Sequence, residues 1–134
     1  MHKIIHIRPG TDPNEKQAPI GTIAFEFVQD ICYVGVSCLN SKADKWNSKR
    51  ASEISVGRLQ SRIRGRVPKN TFAFGDCVPS NVDVLKRLAA EMSYEYDETT
   101  KLTKRFKNAI RETAERFEEI QAIHTMRRAV AVTE

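Results

Sequence analysis

Apolar and polar positions alternate through the first part of the chain. In residues 3–8, Ile5 and Ile7 fall on one side of an extended segment, and Ile4 and His6 on the other. Pro9, Gly10, Asp12 and Pro13 break the pattern, as turn residues do. A second strand is predicted near 20–28, where Ile23, Phe25 and Phe27 alternate with Ala24, Glu26 and Val28. A third follows near 31–38, with Cys32, Val34, Val36 and Cys38 on one face, after a tight hairpin at Gln29-Asp30. Together these strands predict an antiparallel sheet with one face on the core.

The period then lengthens. Asn40-Ser41-Lys42-Ala43-Asp44 is a helix start signal, with Ser41 or Asp44 as N-cap. From 44 to 65, Ser52, Val56, Leu59 and Ile63 fall three and four apart, and Gly65 and Pro68 stop the helix. Thr71-Phe72-Ala73-Phe74 reads as a short strand returning to the sheet, and Ser80 as the N-cap of a helix over 81–94. A longer helix is predicted over 97–128, after a break around Tyr94-Glu95-Tyr96-Asp97. Its stripe is Leu102, Phe106, Ile110, Thr113, Phe117, Ile120 and His124, a 3.5-residue repeat from Phe106 onward. Such a seam packs either on its own neighbour or on another chain, and the second option leads to a homo-oligomer. The fold class is α+β: an N-terminal antiparallel sheet, a basic helix and long C-terminal helices. Residues 1–134 form one domain, mainly β over 1–41, basic helix over 42–66 and helical over 79–131.

Composition narrows the function classes. No apolar run approaches the roughly 20 residues of a membrane span, and the first ten residues are too interrupted for a secretory signal. The chain is therefore expected in the cytoplasm, with no membrane partner. Cys32, Cys38 and Cys77 are odd in number and contain no Cys-x-x-Cys pair, so neither a disulfide scaffold nor a zinc module is expected. Three histidines with no clustered carboxylate fall short of a ligand set, so no metal and no cofactor are expected. No Walker loop, Gly-x-Gly-x-x-Gly or His-Glu-x-x-His motif occurs. Glu112, Glu115, Glu118 and Glu119 sit among bases, as i,i+4 partners do. The expectation is a binder and not an enzyme.

Charge is concentrated. Lys42, Lys45, Lys49, Arg50, Arg58, Arg62, Arg64 and Arg66 face only Asp44 and Glu53 in residues 42–66, whereas residues 83–134 balance. Arg58 and Arg62 are one turn apart, and Arg66 extends the ridge if the helix persists. Arginine suits phosphate because its planar fork donates two parallel hydrogen bonds. The competing explanation is a solvated basic face. A nucleotide-like ligand also needs an aromatic face for its base. Phe72 or Phe74 could supply one, unless both belong to the core. Asn81 opens a helix, beside free N–H groups that favour anions. Arg105 and Arg111 flank the apolar seam of the long helix, where they are either surface ion-pair partners or groups at a subunit boundary.

The layout resembles the phage Thoeris anti-defence 1 proteins, a family of sponges for cyclic nucleotide immune signals. The resemblance rests on the order of elements. It rests also on the segment Tyr33-Val34-Gly35-Val36-Ser37-Cys38-Leu39-Asn40-Ser41-Lys42-Ala43-Asp44 leading into Ser55-Val56-Gly57-Arg58-Leu59. It implies capture of cyclic ADP-ribose isomers between protomers of a dimer or hexamer, without cleavage, through Phe74 or Phe72, Asn81, Arg105 and Arg111. It also implies a separate site for cyclic oligonucleotides that draws on Arg58 and Arg111. The alternative is a nucleic-acid-binding or protein-inhibiting anti-defence protein acting through its basic helix.

Overall fold

The computed structural model describes residues 1–15, 17–38, 46–94 and 104–133. Its elements run β1 (Lys3–Ile7), β2 (Gly21–Val28), β3 (Ile31–Cys38), α1 (Ser48–Ile63), β4 (Thr71–Phe74), α2 (Asn81–Tyr94) and α3 (Lys104–Thr133). The four strands form one antiparallel sheet in the order β1-β2-β3-β4. The architecture is α+β, an N-terminal antiparallel sheet followed by helices.

The strand period of two sorts the sheet into two unlike faces. One carries Ile5, Ile7, Ile23, Phe25, Cys32, Val34, Val36, Phe72 and Phe74, all buried against Val84, Leu85, Leu88, Met92, Phe106 and Ile110 of α2 and α3. The other carries small or polar residues, Thr22, Ala24, Gly35 and Ser37 among them, and α1 lies on it. Gly35 is the contact point. A Cβ there would lie 2.2 Å from the Ser55 carbonyl oxygen and 2.6 Å from the Leu59 nitrogen, so only glycine lets the helix backbone come this close.

Asn47 caps α1, its Oδ1 accepting from the Arg50 N–H at 3.1 Å. The helix thus starts later than the periodicity predicts; Ser41 and Asp44 lie outside the described residues. Its seated face is Ala51, Ser55 and Leu59, while Ser52, Val56 and Ile63 are only half-buried. The close approach selects small side chains that a hydrophobic count overlooks. At the other end Gly65, at φ +89°, closes a Schellman turn: its N–H reaches the Arg62 carbonyl and the Arg66 N–H that of Ser61, both at 3.1 Å. The basic ridge therefore ends at Arg62, and Arg66 stands beyond the cap. Ser80 caps α2, its Oγ accepting from the Asp83 N–H at 3.2 Å. The predicted break at 94–97 and Leu102 fall largely outside the described residues; α3 is continuous from Lys104.

The third turn of α3 holds the chain leaving β1. Arg116, 7% exposed, donates through Nη1 to the carbonyls of Arg8 (3.2 Å) and Gly10 (2.6 Å). Thr113 donates to the Arg8 carbonyl at 3.1 Å, and the Gly10 N–H donates to Glu112 Oε2 at 3.1 Å. Glu112, Thr113 and Arg116, within about one turn of α3, thus fix where the β1–β2 connection starts.

Candidate anion-binding surface

Helix α1 and the turn after it present the basic residues. Lys49, Arg50, Arg64, Arg66 and Lys69 are exposed and Arg62 is half-exposed, and between residues 46 and 70 the only acid is Glu53. Among the described residues none of these cations takes part in a salt bridge. An uncompensated cluster of this kind raises the local positive potential, which attracts anions.

Arg58 is different. It is half-buried, and its Nη1 donates to the Val36 carbonyl. The amide and carbonyl of a strand residue face the same neighbour. The Val36 amide bonds the Asn70 carbonyl at 2.9 Å, and β4 starts only at Thr71, so the guanidinium supplies a donor to the carbonyl at the strand's margin. Burial lowers the Arg58 pKa from its ordinary value, and arginine stays charged at neutral pH. One of its five N–H donors is committed to the backbone. Beside it, the buried Asn70 Oδ1 has no hydrogen-bond partner.

The aromatic expectation is corrected. Phe72 and Phe74 are 6% and 5% exposed, paired in register with Val34 and Cys32 on the core face. Both point to the same side because they are two positions apart on the strand, with Ala73 between them, and that side is covered by α2 and α3. The Arg87 guanidinium lies 5.4 Å from the Phe74 ring centroid and bonds Glu91 through Nε at 2.9 Å. Neither ring is an open stacking platform, so Phe74 is a core residue in this chain.

Asn81, Arg105 and Arg111 are exposed. Asn81 opens α2, while the two arginines lie on α3. Arg58 belongs to α1, on the opposite side of the sheet. Within one chain the sheet stands between Arg58 and the α3 arginines, so the five residues make no common pocket. Arg111 instead borders an open groove of about 300 Å³ between α2 and α3, with Lys86, Glu115 and the alanines Ala89, Ala90 and Ala114. Lys86 is ion-paired with Glu118, whose hydrogen bond raises its pKa. The sequence signal for this groove was three alanines where two helices face each other, too weak to stand out without the pairing of α2 with α3.

A second polar cluster escaped the sequence reading. On the α1 side of the sheet, His6 Nδ1 lies 2.8 Å from Thr22 Oγ1, and the Trp46 ring meets the His6 ring edge-on at 5.5 Å between centroids. Burial, and then Arg8, lower the His6 pKa. Strand parity puts His6 and Thr22 on one face, but Trp46 arrives from forty residues away along the chain.

Burial raises the pKa of all three thiols; Cys32, which also feels Cys77, is pushed up to about 12. None is a ready thiolate nucleophile at neutral pH. Among the described residues no three His, Cys, Asp or Glu side chains group as a metal site, and no helix is long and apolar enough to cross a membrane. No family model, curated protein or solved structure matches the chain.

Proposed function

We propose that the protein captures small cyclic nucleotides, such as cyclic ADP-ribose isomers or cyclic oligonucleotides, and holds them uncleaved between copies of itself. The observation that carries this is the cluster of unpaired cations on α1 and the following turn, beside an Arg58 already fixed to the sheet edge. A phosphate arriving there meets donors that lack protein carboxylates to compete with it. The separation of Arg58 from Arg105 and Arg111 by the sheet is consistent with a site completed by a second copy. These groups act on one ligand only across a boundary between chains, and enclosure is what slows release. The resemblance to phage Thoeris anti-defence 1 sponges supports the same function, with the correction that the stacking group is not Phe74 or Phe72 of an unopened core.

Two measurements test the proposal. Ligand recovered after heat denaturation should be chemically intact; an altered product means catalysis and overturns the sponge. Affinity should fall gently with salt, as suits a ligand bearing a few phosphates. A roughly thousandfold loss or more between 50 and 200 mM salt means six or more phosphates, and so a polynucleotide track on α1.

A further inference from the structure

We propose that the C-terminal half of α3 is the surface through which two copies of this chain pair, antiparallel, about a two-fold axis at Ile123. At 1.5 Å per residue the 30-residue helix is about 45 Å long. Its first half is seated: Phe106, Ala109, Ile110, Thr113, Ala114 and Arg116 are buried. Phe117 and Ile120 are half-buried, and every residue from Gln121 to Ala129 is exposed. The 3.5-residue seam is therefore consumed inside the chain as far as Phe117, which packs against the core, and His124 at its end is bare. Beyond Ile120 the helix has no cover of its own, and a stretch of about a dozen residues is marginal as an isolated helix in water. It nonetheless displays Ile123 at 37% and Met126 at 69% exposure.

The order of residues around Ile123 identifies the occupant. Reading outward from it, Ile120 stands opposite Met126, Glu119 opposite Arg127, and Glu118 opposite Arg128. In an antiparallel pair centred on Ile123, position 123 meets its own copy and Ile120 meets Met126. Glu119 of one copy then meets Arg127 of the other, twice by symmetry. Ile120, Ile123 and Arg127 follow the three-four spacing of one helical seam, with Glu119 and Met126 beside it. A parallel pair would set Glu118 and Glu119 against their own copies, and likewise Arg127 and Arg128, which is repulsive. Glu119, Arg127 and Arg128 have no ion-pair partner among the described residues, while Glu118 already pairs with Lys86. The Glu119–Arg127 contacts therefore set the orientation. This pairing goes beyond the sequestration proposal and is assayed without nucleotide, so either can fail alone.

Sedimentation equilibrium of the full chain tests it. The wild type should associate to a dimer or a multiple of it, and Ile123→Glu should abolish this association with helix content unchanged by circular dichroism. Glu119→Arg and Arg127→Glu should each weaken association about tenfold or more, since each sets like charges together at two symmetric places. The two changes in one chain should restore it. A wild type that stays monomeric, an Ile123→Glu variant that associates as before, or a double variant no better than either single one overturns the proposal.

Discussion

The two faces of the sheet are built on opposite principles. The face toward α2 and α3 fills its interior with large side chains, from Ile7 and Phe25 to Phe106 and Met92. Its stability comes from apolar area removed from water. The face toward α1 uses absence: Gly35 brings the helix backbone close, and Ala51 and Ser55 keep it there. A helix seated on small residues spends few of its long side chains on packing. Lys49, Arg50 and Arg64 are left in solvent, and Arg58 is turned to the sheet margin. The first face makes the fold; the second presents charge.

Substitutions can separate the two. The largest effect belongs to the apolar face. Phe106 is fully buried, and Gly21 leaves room for its ring, since a Cβ at Gly21 would lie 2.1 Å from it. Phe106→Ala should cost about 3–5 kcal/mol in chemical denaturation, and a loss below about 1 kcal/mol would contradict the assignment. Gly35→Ala should cost roughly 1–3 kcal/mol, because the added methyl meets helix backbone and α1 must shift. Trp46, the only tryptophan, sits just before the α1 N-cap against His6, so its emission should move in the folded Gly35→Ala protein but not in folded Phe106→Ala.

Gly57 sharpens the contrast from the other side. A Cβ there meets nothing within 4 Å, so Gly57→Ala should stabilise the chain by about 0.5–1 kcal/mol through helix propensity alone. Thermal unfolding reads that gain.

The smallest effect is that of pH. His6 has a folded pKa below its ordinary 6.5, so folding favours the neutral ring. That stability is present above 6.5 and is lost as pH falls from there through the lowered folded value. Melting temperature should therefore dip across that window in the wild type and less so in His6→Gln.

Much of the sheet was legible because a period of two and two-residue turns are local signals. Ile5 with Ile7, and Cys32 with Val34 and Val36, could be placed on one face without knowing what covers them. The β4 strand and the Ser80 cap were legible for the same reason. The start and seat of α1 were not, since Asn47, Ala51 and Ser55 carry no hydrophobic signal and their role depends on Gly35 across the sheet. Phe74 was misjudged as a ligand platform because alternation says which residues share a face, and not which face meets the core. The candidate arginines could be picked out by charge, but the sheet that separates Arg58 from Arg105 and Arg111 is a tertiary fact.

The most direct measurement is a calorimetric titration of the full chain with cyclic ADP-ribose isomers and cyclic di- and trinucleotides. Capture between copies predicts submicromolar binding with fewer than one ligand per chain, weakened by Arg58→Gln and by Arg111→Gln. Absence of binding across the panel would contradict it.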